Sequence, residues 1–334
     1  MTAPATGLPA ATEHLDEAKA ERVFGAILDG DVSDAEIARF LTDLSNRGEN
    51  AEEIAGAARA LRARLIPIEA PENAIDVCGT GGDGHHTLNV STAVSLVVAA
   101  AGVPVAKHGN RAASSKSGAA DTLEALGLDM DAAGRTAEKT LGEIGICFLF
   151  AKNHHPAMGR IQPIRQKLGI RTIFNLMGPL SNPAGVKSQL IGIARPAYVP
   201  IYARAKASLG TTRTMIVSGD EGLDELSLAG GNELADVRGS DFEMQRVDAG
   251  VLSLPHAPVE AIRGGGPVHN AAALTALLAG SPGPYRDAVI FNAAASLLVA
   301  GTDSEWTDAG ARAAEALDSG AAQQLLARWI DLAR

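Results

Sequence analysis

The chain has 334 residues, enough for one large α/β domain and a smaller companion domain. Because 46% of the residues are hydrophobic and 20% are charged, the composition excludes a disordered chain and indicates an ordinary globular protein. The net charge of -10 argues against a broad nucleic-acid surface, which needs a basic face, but not against a local anion site.

The N-terminal sequence and the cysteines predict a cytoplasmic protein without a membrane partner. The first residues show neither the basic start nor the apolar segment of a signal peptide. The apolar stretch from Val90 to Ala101 is too short to span a bilayer. Cys78 and Cys147 lie in apolar runs without metal-ligand spacing, so we expect buried thiols in a reducing compartment.

Residues 1–72 are predicted to form a small helical N-terminal domain. Apolar residues recur at helical spacing between Leu15 and Leu65, and no strand pattern interrupts them. Ser33 suits a helix start, because its hydroxyl can accept hydrogen bonds from the unpaired amides of the first turn.

From residue 73 to residue 334 the pattern changes to that of a larger α/β domain. Short apolar runs alternate with helical patterns, which predicts a mostly parallel central sheet flanked by helices. The predicted strands are 75–78, 103–106, 146–150, 190–194 and 214–218. Ligands of such sheets bind at the carboxyl ends of the strands, so the site residues should follow these runs.

A glycine loop, Gly79-Thr80-Gly81-Gly82-Asp83-Gly84, follows the first strand and leads into a helix that starts near Asn89. Glycines let backbone amides approach an anion, and a helix start adds free N–H groups, so we predict a phosphate site. The loop also fits the dinucleotide pattern G-x-G-x-x-G, but Lys107-His108 stand where that site needs an acid. The third interpretation is a tight turn that binds no ligand, but such a turn seldom requires four glycines.

A second loop, 107–118, carries three cations and three serines after the second predicted strand. Cationic and hydroxyl side chains together favour phosphate binding, whereas the alternative is a solvated basic loop.

The third motif, 219–225, holds four acids after the predicted strand 214–218. Carboxylates would repel a nearby phosphate unless a hard cation joined them, so Asp224 and Glu225, with the Ser91 hydroxyl, are predicted to bind Mg²⁺. An acidic surface turn is the alternative, and the spacing of an EF-hand is absent.

The fourth motif, 153–165, contains adjacent histidines and two arginines. His154 and His155 lack a third ligand at zinc spacing. Arg160 and Arg165 could bind a carboxylate in a bidentate manner or lie on the surface, and composition does not decide between the two.

Four sequence strings together resemble the anthranilate phosphoribosyltransferase family. They are DVCGTGGDG with NVST, KHGNRAASSKSG, FNLMGPLSNPA and GLDE, and they occur in the family's order. The resemblance runs from about residue 15 to the end of the chain. It implies a homodimer, an active site between the two domains, a helical domain that part of 166–190 joins, and transfer of phosphoribosyl from phosphoribosyl pyrophosphate to anthranilate in tryptophan biosynthesis.

The resemblance also implies roles for individual residues. Two Mg²⁺ ions would be bound by Ser91, Asp224 and Glu225. Anthranilate would contact Gly79, Asn110 and Arg165, with His108 and the turn 177–179 lining its channel. The catalytic set would be Asp224, Glu225, Arg165 and, as a candidate base, His108. The residues implied to bind the phosphoribosyl donor are Gly79, Gly82, Asp83, Thr87, Asn89, Val90, Ser91, Thr92, Lys107, His108, Gly109, Asn110, Arg111, Ala112, Ala113, Ser114, Ser115 and Ala119.

This chain departs from the family pattern at three positions. Family members often have His, Ser and an acid where this chain has Ser218, Ala119 and His269, respectively. These differences affect the expected phosphate contacts and loop packing.

Three other functions are alternatives to this interpretation. A pyrimidine nucleoside phosphorylase has a similar fold, but the glycine loop and the acid pair argue against it. A nucleic-acid-binding relative would need a basic groove, and a dehydrogenase would use the glycine loop for NADP.

Overall fold

The computed structural model describes residues 7–111 and 116–334 of the chain. The predicted loop residues Ala112, Ala113, Ser114 and Ser115 lie outside these ranges. Within them, none of the helices is long and apolar enough to cross a bilayer.

Helices and strands follow one another as the sequence predicts, three helices first and then an α/β alternation. The strands are β1 Ile75–Gly79, β2 Val105–Gly109, β3 Ile146–Phe150, β4 Ser188–Gly192, β5 Arg213–Gly219, β6 Asn232–Arg238 and β7 Asp241–Val247. The helices are α1 Glu17–Asp29, α2 Asp34–Arg47, α3 Ala51–Arg62, α4 Val90–Ala100, α5 Ala119–Ala125, α6 Met130–Arg135, α7 Ala137–Ile144, α8 Ala151–His154, α9 Met158–Leu168, α10 Val199–Ser208, α11 Pro267–Leu278, α12 Pro284–Ala300, α13 Trp306–Asp318 and α14 Ala321–Leu332.

The N-terminal helices begin at side-chain caps and pack closely. Ser33 and Asn50 each form a reciprocal capping box, with Glu36 and Glu53 respectively. Helix α3 approaches α1 at Gly56, where a Cβ atom would lie 2.4 Å from the Glu17 carbonyl oxygen. The apolar faces of these helices share one core with α9 and with residues 173–180.

The sheet has the order β3-β2-β1-β4-β5-β6-β7. Its first five strands are parallel, and β6 and β7 add an antiparallel hairpin, so the predicted mostly parallel sheet is confirmed. Helices α4 and α12 lie in the core on one face of the sheet, and α10 lies with the N-terminal helices on the other. Both cysteines are buried, as expected.

Two strand boundaries and one hairpin differ from the sequence prediction. Strand β2 runs over Val105–Gly109 rather than 103–106, because it pairs with β3 along its whole length. Lys107 and His108 therefore lie in a buried strand and not in a loop. Strand β4 starts at Ser188, two residues before the predicted 190–194. The hairpin of β6 and β7 was missed because its outer strand is largely polar and exposed.

The close contact at Gly56 yields a stability prediction. Gly56→Ala should destabilise the helical domain by about 1–3 kcal/mol, because the added methyl group collides with the α1 backbone. Gly142→Ala is the control, since its Cβ meets no atom within 4 Å. Urea unfolding of both variants tests this, and equal stabilities would contradict the prediction.

Candidate active site

The carboxyl ends of β1, β4 and β5 hold Asp224 against the backbone. A Cβ atom on Gly79 would lie 2.3 Å from Asp224 Oδ2, and one on Gly192 would lie 1.6 Å from the Asp224 carbonyl oxygen. The amide of Gly81 donates to Asp224 Oδ2 over 2.6 Å. Gly222, at a φ of 86°, forms the tight turn after β5 that directs the acids inward. The predicted loops 79–84 and 219–225 therefore meet.

Glu225 connects the acid turn to the start of α4. The Ser91 amide donates to Glu225 Oε1 over 3.2 Å. Lys107 Nζ, buried beneath the same helix, donates to Ser91 Oγ over 3.2 Å and to the Val77 carbonyl over 2.9 Å. Burial lowers the pKa of Lys107, and the charges of Asp76, Cys78 and Glu225 oppose that shift. The structure thus brings Ser91, Lys107 and Glu225 together.

Three carboxylates crowd this site. Burial raises the pKa of Asp224 to about 7, and Asp83 beside it adds to the shift. Burial, together with the charge of Asp224, also raises the pKa of Glu225 well above its usual value. A divalent cation would relieve this repulsion, so these oxygen ligands fit Mg²⁺. Among the described residues no three His, Cys, Asp or Glu side chains form a complete metal cage, so substrate oxygens would complete the coordination.

The other two acids of the motif have partners of their own at the surface. Asp220 accepts hydrogen bonds from Arg246 at 2.7 and 2.9 Å. Glu221 accepts one from the Ser227 hydroxyl. The interpretation of 219–225 as an acidic surface turn therefore holds for these two residues and not for Asp224 and Glu225.

The start of α4 has the features of an anion site. Asn89 does not cap the helix with its side chain. Instead its Oδ1 accepts hydrogen bonds from Thr122 Oγ1 at 2.5 Å and Asn270 Nδ2 at 2.8 Å, and its Nδ2 donates to the Ser117 carbonyl. Among the described residues, the buried Thr92 hydroxyl has no hydrogen-bond partner. These polar groups at a helix N-terminus suit a phosphate.

Asn270 was missed by the sequence analysis. Its Oδ1 accepts a hydrogen bond from the Gly265 amide over 2.7 Å, so the unassigned glycine run 264–266 packs beside the site. Thr87, a predicted donor-binding residue, pairs with Arg263 in an isolated bridge. The sequence did contain a signal for Asn270: it precedes three alanines in a mostly apolar helical stretch. An Asn buried in such a helix needs hydrogen-bond partners.

The loop after β2 is described only at its two ends. Gly109 packs against Phe148. The backbone carbonyl of Asn110 accepts a hydrogen bond from the amide of Ala120, which follows Ala119 at the start of α5. Arg111 forms ion pairs with Asp121 and Glu124 at 2.9 and 2.7 Å. Its implied contact with the donor phosphate therefore stays a prediction.

His108 lies on the other side of the sheet end, between a turn and a second histidine. Its Nδ1 is 3.1 Å from the Gly178 carbonyl, which only accepts, so we assign the proton to Nδ1. Its Nε2 then accepts from Nε2 of His155, 3.2 Å away. Burial lowers the pKa of His108 to about 4 and that of His155 to about 3. Both rings are therefore neutral, and both nitrogens of His108 are engaged.

The two arginines of the fourth motif differ. Arg160 donates to the carbonyls of Gly30 and Val32 over 3.1 and 2.8 Å, so it ties α9 to the α1–α2 loop. Arg165 is half-buried, and burial lowers its pKa. Within 7–111 and 116–334 the Arg165 guanidinium has no carboxylate or hydrogen-bond partner, so it is available to a ligand.

Comparison with known proteins defines first the class and then the family. Residues 9–65 match the helical bundle domain of the glycosyl transferase family, and residues 71–323 match its a/b domain. The anthranilate phosphoribosyltransferase of Erythrobacter litoralis is 77% identical over 98% of this chain and 99% of that protein. The chain therefore belongs to the anthranilate phosphoribosyltransferase branch of this glycosyl transferase family.

Solved structures of this family have the same fold. The anthranilate phosphoribosyltransferase of Thermus thermophilus superposes with a TM-score of 0.90 at 42% identity, over 98% of this chain and 100% of that chain. The Saccharomyces cerevisiae enzyme was solved in complex with PRPP and Mg. It superposes with a TM-score of 0.87 at 29% identity, over 96% of this chain and 93% of that chain.

The buried histidine pair yields a pH prediction. Between about pH 6.5 and 4 the unfolded chain binds more protons than the folded one, so stability falls as pH drops through this window. His155→Asn should flatten this fall by about 2–3 kcal/mol. Urea unfolding across the window measures it, with His256→Asn on the surface as the control, and an unchanged slope in His155→Asn would contradict the assignment.

Proposed function

We propose that this chain transfers the phosphoribosyl group of phosphoribosyl pyrophosphate to the amine of anthranilate, giving N-(5-phosphoribosyl)anthranilate and pyrophosphate in tryptophan biosynthesis. The observation that carries the proposal is the contact of the Asp224–Glu225 turn with the glycine loop and the start of α4. A phosphate site and an acid pair at one strand edge fit a magnesium-bound diphosphate better than a nucleoside, a dinucleotide or a nucleic acid.

The donor half of the reaction depends on charge neutralisation. Displacement at the anomeric carbon passes through an oxocarbenium-like state, so the departing pyrophosphate needs stabilisation more than the amine needs a base. Asp224, Glu225 and Ser91 would hold two Mg²⁺ ions, which supply positive charge to the leaving group when bound. The S. cerevisiae relative was solved with PRPP and Mg, which supports magnesium as the metal. The amides at the start of α4 and the nearby Lys107 charge supply the remainder.

The acceptor half depends on orientation. Among the described residues the Arg165 guanidinium has no partner, which suits the anthranilate carboxylate. His108 and the turn 177–179, which are joined by the contact of the His108 ring with the Gly178 carbonyl, would line the acceptor channel. Because His108 Nε2 accepts from His155, we propose that His108 positions the acceptor and that no strong base is used.

A homodimer in the cytoplasm is the assembly that the family resemblance supports. Sedimentation of the purified protein would give the oligomeric state.

Anthranilate fluorescence tests the proposed function. The wild-type protein should consume anthranilate only when phosphoribosyl pyrophosphate and Mg²⁺ are both present. Asp224→Asn combined with Glu225→Gln should lose activity by at least about a hundredfold, because the metal-assisted donor site is lost. Consumption without the donor, or full activity of the double variant in limiting Mg²⁺, would refute the proposal.

The free guanidinium gives a second prediction. Arg165→Ala should raise the KM for anthranilate by about tenfold or more and leave that for the donor within about twofold, because a charge-assisted contact to the carboxylate is lost. Arg160→Ala is the matched control, since this neighbour binds backbone carbonyls in the helical domain. Equal rises of both KM values in Arg165→Ala would exclude the carboxylate role.

A further inference from the structure

A row of buried polar side chains lies on the sheet face that α10 covers. Lys206 of α10 is 0% exposed, Gln189 of β4 is 1% exposed and Asp76 of β1 is 0% exposed. Asp76 and Gln189 are direct neighbours in the pairing of β1 with β4. Burial of these groups is costly, and it lowers the pKa of Lys206 to about 7. An apolar residue at position 206 would fill the space without this cost.

The row connects α10 to the turn 177–179 and to the backbone of His108. Lys206 Nζ donates to Gln189 Oε1, and Gln189 Nε2 donates to the Pro179 carbonyl over 2.8 Å. The same Nε2 lies 3.5 Å from Asp76 Oδ2. Asp76 Oδ1 in turn accepts from the His108 amide over 3.1 Å. Hydrogen bonds therefore run from Lys206 to the turn 177–179 and to the backbone of His108.

Lys206 is the partner of the Gln189 amide oxygen. It donates to that oxygen, while the NH₂ group of Gln189 faces two acceptors, the Pro179 carbonyl and Asp76. The flipped amide would set its oxygen against two acceptors and its NH₂ against a cation. Lys206 thus helps to stabilise the orientation in which Gln189 donates to the turn 177–179.

We infer that Lys206 is a positioning residue for the acceptor side of the site. The turn that Gln189 holds also supplies the Gly178 carbonyl that orients the His108 ring. Among the residues that the structure describes, no hydrogen bond joins this row to Asp224 or to the start of α4, although the charge of Asp76 acts on Lys107. Loss of Lys206 should therefore impair binding of anthranilate and spare binding of the phosphoribosyl donor. This inference rests on the function proposed above.

Two variants separate positioning from stability. Lys206→Met removes the donor and leaves the Gln189 oxygen buried without its partner, which loosens the amide that holds the Pro179 carbonyl. Lys206→Met combined with Gln189→Met replaces the polar pair by apolar side chains of similar size, a change that buried pairs often tolerate without loss of stability. The single variant weakens the hold on the Pro179 carbonyl, and the double variant removes it. Val237→Ala, a cavity in the core on the same sheet face, is the stability-matched control.

The KM for each substrate is the measurement, made on the full chain with thermal unfolding of every variant. We expect both Lys206 variants to raise the KM for anthranilate by about fivefold to tenfold and to leave the donor KM within about twofold. Val237→Ala should lower the melting temperature and leave both KM values near those of the wild type.

Two outcomes would overturn the inference. One is a stably folded double variant with the wild-type KM for anthranilate, which would make Lys206 a packing residue. The other is an equal rise of both KM values. A wild-type protein that does not consume anthranilate would instead refute the proposed function itself, so the two failures are distinguishable.

Discussion

The structure depends on two carboxylates that are held against a neighbouring backbone. Asp224 contacts Gly79 and Gly192, and Glu225 accepts from the first turn of α4, so the backbone holds both acids in place. Burial raises the pKa of both groups, Asp83 adds to the shift of Asp224, and Asp224 adds to that of Glu225. Such an arrangement is costly in the free protein, and a bound cation with a diphosphate would remove the cost.

In the proposed function, the two faces of the sheet serve different substrates. The α4 face carries the donor side, where helix amides, Lys107 and the acid pair converge. The opposite face carries the acceptor side, where Asp76 and Gln189 hold His108 and the turn 177–179. Alternation of side chains along β1 and β2 makes this possible, because successive residues point to opposite faces. Lys107 and His108, adjacent in sequence, therefore lie on opposite faces, and we propose that His108 serves the acceptor side.

Sequence reasoning located the local features and missed the long-range ones. The glycine loop and the Asp224–Glu225 pair were predictable, because glycine and acid patterns directly follow apolar strands. The end of β2 was not, since pairing with β3 extends it through two polar residues. Asn270, Gln189 and Lys206 were also missed, because their partners lie far away along the chain. The role of a buried polar residue can be assigned only when its tertiary hydrogen-bond partners are known.

The most direct test is a crystal structure with phosphoribosyl pyrophosphate and Mn²⁺ in place of Mg²⁺, with the metal located by anomalous scattering. The account predicts metal within ligand distance of Asp224 and Glu225, bridging them to a diphosphate on the glycine loop and the α4 N-terminus. Metal bound only elsewhere, or a diphosphate remote from Gly82 and Lys107, would contradict it.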